Sequence, residues 1–575
     1  MVLRITRFPR IAGFALLVLC YSFVSPPAHA QKAVKQKPAA AVPAGESAIT
    51  VDQLYEFLLA EIAAQRGERE VSAEAYADLA RQTRDPAIAQ RAVEVALVGR
   101  DSDLAIRATN LWLELEPDSA SARQTLIALL LTSGNLKDAG PQLKRILADD
   151  PTMAGRVFMQ LGGLTSRQTD KAGVLKLVTE LSAGHPKLPE ARFALGQAAR
   201  AAEQNGLALS ETDAALKLRP DWELAALLHG SVLSTTAPDD AVPFYRDFLK
   251  RNPNAREVRT GLARQLATQK DYAGARKEFE ALVTAAPNSA EYALALGVLS
   301  IELKDYTAAE KHLKRALELN YLEPDTVRSY LGQLKEDQKL YPEAIAWYRQ
   351  VTGGENYLAT QVRVAALMAK QGDIDGGRKY LRSARAGNPE QQAQILMAEA
   401  QILRDAKQYE QAIEVLGEGI HAQPESAELL YDRAMTAEKL NRVDVMETDL
   451  RKIMVIKPEN AHAYNALGYT FAERNMRLAE ALQLVEKAYQ LAPDDPAILD
   501  SMGWVHYRLG NLDKGLDFLR KAIIARPDPE VAAHLAEVLV ARGDRGEAKS
   551  VSAKALKENP DNEALIAVVK RLDLK

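Results

Sequence analysis

Apolar and small side chains recur at helical spacing through most of the chain, most clearly near residue 500. Leu499, Met502, Gly503 and His506 stand at i, i+3, i+4 and i+7 of a helix predicted over residues 497–509. This spacing places all four on one face and predicts that the face is buried. Glycine inside a helix costs about 1 kcal/mol relative to alanine, so Gly503 indicates a position where another helix approaches closely.

Residues at both ends of this segment predict where the helix begins and ends. Asp495 precedes Pro496, which is the arrangement of an N-cap followed by proline at the first helical position. Gly510 follows Leu509 and fits a C-terminal helix stop.

Prolines mark a repeat along the chain. Twelve of the prolines follow one another at intervals of 34, 35, 34, 33, 34, 102, 35, 34, 35, 34 and 33 residues. They are Pro117, Pro151, Pro186, Pro220, Pro253, Pro287, Pro389, Pro424, Pro458, Pro493, Pro527 and Pro560. The interval of 102 is three times 34, and Tyr321 and Glu355 stand where two prolines are missing. A period near 34 predicts two helices per unit.

Small residues repeat in the same register, which predicts close helix contacts in each unit. With the proline counted as position 32, glycine recurs at position 8 and alanine at positions 20 and 27. Examples are Gly297, Gly332, Gly468, Gly503, Ala412, Ala481, Ala488 and Ala522.

Two segments carry this pattern almost completely: "AYNALGYTFAERNMRLAEALQLVEKAYQLAPDD" (463–495) and "LDSMGWVHYRLGNLDKGLDFLRKAIIARP" (499–527). The chain resembles the tetratricopeptide repeat (TPR) family. The resemblance implies an all-α solenoid, a right-handed superhelix of antiparallel helix pairs. Each pair buries one face against its neighbours, which leaves a concave groove.

The repeat register predicts the domain organisation. Residues 48–355 hold degenerate units, residues 356–560 hold well-matched units, and residues 561–575 form a capping helix. Val93 and Ile127 replace the position-8 glycine in two early units.

The resemblance assigns positions 5, 9 and 12 of each unit to the groove. In the unit near residue 500, these positions hold Asp500, Trp504 and Tyr507. Corresponding positions elsewhere hold Met397, Tyr431, Met435, Asn465 and Tyr469. Exposed Met, Tyr and Trp side chains are typical of partner-binding surfaces, so we expect Trp504 to be an exposed anchor. The alternative is that adjacent repeats cover these side chains as ordinary packing.

Some repeats of this family bind a C-terminal carboxylate through a lysine at position 5. Here position 5 holds Met397, Tyr431, Asn465 and Asp500, with no lysine. Capture of an apolar or extended segment fits better.

The first thirty residues predict export. Arg4, Arg7 and Arg10 precede a short apolar run, which ends in "SPPAHA" before Gln31. This is the organisation of a secretory signal peptide, so we expect residues 1–30 to be removed by cleavage between Ala30 and Gln31. Residues 31–47 are rich in Ala, Pro and Lys without apolar periodicity, and we interpret them as a flexible tether.

Composition adds little beyond this. The 575 residues include one cysteine, Cys20, inside the predicted signal peptide and preceded by Leu19 rather than a small residue, so a lipid anchor there is not expected. Removing three arginines leaves 70 basic and 77 acidic residues, a net charge of 70 − 77 = −7. That balance favours neither nucleic acid nor an anionic membrane as a partner, and we expect membrane association to be peripheral at most.

The sequence predicts no enzyme. The repeats leave no room for a catalytic domain, and H-E-x-x-H, GxxxxGK[ST] and G-x-S-x-G are absent. The mature histidines do not form i, i+3 or i+4 pairs, so no catalytic, cofactor or metal site is predicted, and His506 is interpreted as core.

The segments "LYEFLLAEIAAQRGEREVSAEAYADLARQTRDPAIAQRAVEVAL" and "LWLELEP" resemble those of long envelope repeat proteins of proteobacteria. One such group, typically lipoproteins, serves as adaptor for a carboxyl-terminal processing protease that trims peptidoglycan hydrolases. The resemblance implies a periplasmic scaffold that binds the protease and its substrates. The alternative is a soluble component of an exopolysaccharide or protein export apparatus.

Overall fold

The computed structural model describes residues 50–149, 151–164 and 170–574. The predicted signal peptide, its cleavage site at Ala30 and Gln31, Cys20 and the predicted tether lie outside the described residues. Within the described residues, all regular elements are helices and none is a strand, which confirms the all-α prediction.

The chain divides into two compact units, one ending at Leu319 and the other beginning at Asn320. The described helices of the first unit, with a 3₁₀ turn at Pro151–Met153, are α1 (Val51–Arg66), α2 (Arg69–Thr83), α3 (Pro86–Gly99), α4 (Ser102–Leu115), α5 (Ala120–Thr132), α6 (Leu136–Asp149), α7 (Ala154–Leu164), α8 (Lys171–Ser182), α9 (Pro189–Ala201), α10 (Asn205–Leu218), α11 (Glu223–Thr236), α12 (Pro238–Arg251), α13 (Arg256–Thr268), α14 (Tyr272–Ala285), α15 (Ala290–Glu302) and α16 (Tyr306–Glu318).

The second unit continues the alternation of helices and short turns. Its described helices are α17 (Pro324–Asp337), α18 (Tyr341–Tyr348), α19 (Tyr357–Lys370), α20 (Ile374–Arg382), α21 (Pro389–Asp405), α22 (Tyr409–Ala422), α23 (Ala427–Lys439), α24 (Val443–Ile456), α25 (Ala461–Glu473), α26 (Leu478–Leu491), α27 (Pro496–Arg508), α28 (Leu512–Ala525), α29 (Pro529–Arg542), α30 (Arg545–Glu558) and α31 (Glu563–Arg571).

Helices pack as consecutive pairs, as the repeat predicts. In the second unit, α25 packs on α26, α27 on α28 and α29 on α30. Pro424, Pro458, Pro493 and Pro527 lie in the turns that follow the second helix of a pair. The repeat proline therefore separates one helix pair from the next.

The caps of α27 are those predicted. Asp495 Oδ1 accepts hydrogen bonds from the backbone N–H groups of Ala497 at 2.8 Å and Ile498 at 3.2 Å. Pro496 opens the helix, and Gly510 follows its end with a φ of 81°, a conformation that glycine adopts without strain.

The position-8 glycines lie where two helices of a pair touch. A Cβ at Gly503 would lie 2.5 Å from Leu519 Cγ and 2.9 Å from the carbonyl oxygen of Gly515 on α28. At Gly468 it would lie 2.6 Å from Val485 Cγ2 on α26. These distances are too short for a side chain, which confirms that the glycines permit close approach.

The boundary between the two units, at Leu319 and Asn320, differs from the predicted division at residue 355. The predicted division separates degenerate from well-matched repeats, and it stays a prediction.

The missing proline near residue 355 coincides with a short helix, since α18 has 8 residues. Asp325 holds the turn after it by accepting hydrogen bonds from the N–H groups of Thr352 at 2.8 Å and Gly353 at 2.9 Å.

None of the helices among the described residues combines the length and apolarity needed to span a bilayer.

Replacing Gly503 with leucine should destabilise the second unit by about 1–3 kcal/mol, because the side chain overpacks the α27–α28 contact. Gly546 on α30 is the matched control, since a Cβ there would meet no atom within 4 Å. Urea unfolding followed by circular dichroism measures both variants. Equal midpoints for Gly503→Leu and wild type would contradict the helix contact.

Candidate functional site

The first helices of consecutive pairs lie side by side in the second unit. α25 contacts α27 and α27 contacts α29, whereas consecutive second helices do not contact one another to the same extent. The first helices therefore lie on the inner side of the curve within this unit. We call the row of side chains there the first-helix face; it comprises Met397, Tyr431, Met435, Asn465, Tyr469, Asp500, Trp504, Tyr507 and His534.

Most residues predicted for the groove are half-buried. Six of them lie partly exposed, namely Met397, Tyr431, Met435, Asn465, Tyr469 and Tyr507. Partner binding by these residues stays a prediction. Part of each side chain is accessible to a partner.

The expected exposure of Trp504 is wrong. The residue is 4% exposed. Its ring stacks on the His534 ring with centroids 4.2 Å apart and planes at 25°, and it lies 5.1 Å from the ring of Tyr507. The next first helix, α29, comes close enough to cover the indole, as the packing alternative anticipated.

Asp500 is also buried, at 8% exposure, and it pairs with His534. Nδ1 of His534 lies 3.0 Å from each carboxylate oxygen of Asp500. Burial by itself would lower the pKa of His534, but the hydrogen bond and charge of Asp500, with Glu530 and Glu473, outweigh it and raise the pKa. The raised pKa favours the protonated imidazole and hence a buried ion pair.

Sequence reasoning missed His534, although a signal for it was present. His534 follows Asp500 by 34 residues, one repeat, so it occupies the equivalent position on the next first helix. Equivalent positions in adjacent repeats face each other, and an acid followed one repeat later by histidine can form a cross-repeat pair.

Tyr469 on α25 reaches across to α29. Its hydroxyl lies 3.5 Å from Glu530 Oε1, and its ring centroid is 6.1 Å from that of His534. Burial raises the pKa of Tyr469, and the charges of Glu530, Glu473 and Asp500 raise it further. The phenol therefore remains protonated and available as a donor.

A second polar network lies toward the other end of the face. Arg404 on α21 donates to Thr436 Oγ1 at 3.2 Å and to Asp432 Oδ2 at 3.3 Å, both on α23. It also donates to Gln401 at 2.6 Å. Arg404 stands at position 12, one of the positions assigned to the groove, but the sequence analysis named only Met397 in this unit.

Two buried polar atoms on the face have no hydrogen-bond partner among the described residues. They are the indole nitrogen Nε1 of Trp504 and the amide oxygen Oδ1 of Asn465. Buried polar groups are nearly always paired, so these two atoms are exceptions, as is Nδ1 of His506 in the core.

Within the described residues, no group of three or more His, Cys, Asp or Glu side chains is arranged to bind a metal ion. His506 is 5% exposed and faces the ring of Phe518 at 5.8 Å, consistent with its interpretation as core.

Comparison with known proteins identifies the family. Tetratricopeptide repeat models match residues 233–299, 294–356, 397–445, 449–496 and 474–538. A TPR repeat-containing protein of Pseudomonas aeruginosa is 34% identical over 497 residues, which is 84% of this chain and 82% of that protein. The chain belongs to the tetratricopeptide repeat family.

Other similarities are more distant. Cellulose synthase operon protein C of Pseudomonas fluorescens is 22% identical over 343 residues, which is 57% of this chain but 25% of that protein. A solved TPR protein of Thermus thermophilus covers 32% of this chain at 24% identity, with a TM-score of 0.30. TPR proteins bind protein partners, so family membership indicates a protein-interaction scaffold.

Replacing Trp504 with alanine should cost about 3–5 kcal/mol of stability, because it removes a buried aromatic side chain and leaves a cavity. Tyr507→Ala, on the same helix and half-buried, should cost less. Urea unfolding of both variants tests this order. A loss below about 0.5 kcal/mol for Trp504→Ala, as expected of a surface position, would contradict its burial.

Proposed function

We propose that this protein is a non-enzymatic periplasmic TPR scaffold that holds extended segments of protein partners against the first-helix face. The observation that carries the proposal is the row of half-buried Met, Tyr and Asn side chains on successive first helices. Such a row offers apolar contact together with hydrogen bonding to a peptide backbone.

The residue types suit varied segments. Methionine is flexible and adapts to different apolar side chains, while tyrosine supplies a rigid ring and a polar hydroxyl.

We place the scaffold in an envelope proteolysis pathway, as adaptor for a carboxyl-terminal processing protease that degrades cell-wall hydrolases. The resemblance of the N-terminal segments to long envelope repeat proteins supports this pathway. Location in the periplasm rests on the predicted signal peptide, and membrane association would be peripheral.

The alternative is a soluble component of an exopolysaccharide or protein export apparatus. It is favoured by the similarity to cellulose synthase operon protein C. That similarity spans only a quarter of the relative's length, and it is consistent with shared repeats alone.

Affinity purification from an envelope extract of the source organism distinguishes the two pathways. The baits are the full chain, the double variant Tyr431→Ala/Met435→Ala on the face, and Val455→Ser on α24 as control. Val455 is 81% exposed on a second helix, so its replacement should leave binding unchanged.

We expect a processing protease and cell-wall hydrolases with wild type and control, and about tenfold less with the double variant if these side chains are anchors. Recovery of export proteins instead would favour the alternative. Equal recovery with the double variant, given an unchanged circular dichroism spectrum, would place the partner site off the first-helix face.

A further inference from the structure

Asp500 and His534 are a buried pair that joins two adjacent repeats. Asp500 lies on α27 and His534 on α29, and their side chains are 11% and 9% exposed. Nδ1 of His534 lies 3.0 Å from each carboxylate oxygen. Within the described residues, Asp500 forms no ion pair with a lysine or arginine. The imidazole is therefore the group that compensates the charge of this carboxylate.

The strength of this contact depends on one proton. A buried carboxylate is costly unless a cation pairs with it, and histidine is the side chain that gains or loses its charge near neutral pH. A neutral His534 can still donate one hydrogen bond from Nδ1, but it no longer compensates the charge of Asp500. Loss of the proton therefore weakens the attraction between α27 and α29.

Three carboxylates act on His534, and they come from three helices. They are Asp500 on α27, Glu530 on α29 and Glu473 on α25. Burial by itself would lower the pKa of His534, but the hydrogen bond and charge of Asp500, with the charges of Glu530 and Glu473, raise it. Tyr469 on α25 also lies beside the imidazole, and burial raises the pKa of its phenol, which stays neutral.

The charged groups on the other helices that pack against α29 are paired or exposed. The remaining charged side chains of α28, α30 and α31 are exposed to solvent. On α27, the guanidinium of Arg508 lies over the Trp504 ring, 5.9 Å from its centroid. The ion pairs around α29 are Arg520–Glu547, Arg542–Asp544 and Arg571–Glu537.

The same imidazole covers Trp504. The indole is 4% exposed and stacks on the His534 ring, with centroids 4.2 Å apart and planes at 25°. A change in the charge or position of His534 therefore changes the surroundings of Trp504 directly.

We propose that Asp500 and His534 form a pH-sensitive latch, which holds α29 against α27 while the imidazole is protonated and loosens the cover over Trp504 when the proton is lost. A group whose pKa is raised by folding contributes stability below its unfolded-state pKa, about 6.5 for histidine, and loses that contribution as pH rises through the folded-state pKa. The latch concerns the packing of α27 and α29 and does not rest on the proposed function.

The test follows Trp504 itself across pH. The full chain is labelled with 5-fluorotryptophan, and the Trp504 fluorine resonance is assigned by replacing the 4 tryptophans one at a time with phenylalanine. We expect this resonance to shift in one single-proton step, with a midpoint above the unperturbed histidine value of about 6.5.

The step should be lost in Asp500→Asn/His534→Gln, which keeps the side-chain shapes and leaves no uncompensated buried carboxylate. The matched control is His462→Gln, which removes an exposed histidine from α25 and should keep the step. No step in wild type, a midpoint below about 6.5, or a step that persists in the double variant would overturn the latch.

Urea unfolding, followed through the same resonance, measures whether the proton holds the helices together. As pH rises through the midpoint, the unfolding equilibrium constant of wild type should increase by at most about tenfold per pH unit, because one proton is released. The double variant should lack this increase. Equal pH dependence in wild type and the double variant would show that the pair titrates without holding α29, which would overturn the proposal.

Discussion

The close approach of the two helices in each pair governs this structure. At Gly503 and Gly468, a Cβ would lie 2.5 Å and 2.6 Å from a side-chain atom of the facing helix, so only glycine fits. A pair joined this closely buries one face between its helices and leaves another apolar face to be covered by the next pair. Stacking of pairs is therefore required for burial, and it brings successive first helices together.

The first-helix face follows from that stacking. Because α25, α27 and α29 lie side by side, a large side chain on one of them is covered by the next. Trp504 is covered by His534, and His534 is held in turn by Asp500. What stays accessible is a row of half-buried Met, Tyr and Asn side chains on successive first helices.

Local chemistry made much of the fold predictable. The proline period, the Asp495 cap, the Gly510 stop and the small residue at position 503 each act over a few residues, so one sequence is enough to interpret them. The site was less predictable because its contacts cross repeats. Helical spacing correctly separated Trp504 from the face of Met502 and Gly503, but it could not show that α29 would cover the indole.

The same limit applies to the charged groups. Arg404 reaches across to α23, and Tyr469 reaches Glu530, which is 61 residues further along the chain. Such contacts depend on how adjacent pairs are stacked. Asp500 and His534 are one repeat apart and so occupy equivalent positions. Two complementary side chains at equivalent positions of adjacent repeats are the sequence signal for such a contact.

Site-specific photo-cross-linking tests the central claim most directly, because it reports which surface touches the partner. Tyr431 on the first-helix face and Val455 on α24 are replaced in turn by p-benzoylphenylalanine, and cells are irradiated before the envelope is analysed by gel and mass spectrometry. The account predicts a cross-linked partner from position 431 and none from position 455. A partner cross-linked only from position 455, or from neither position, would contradict it.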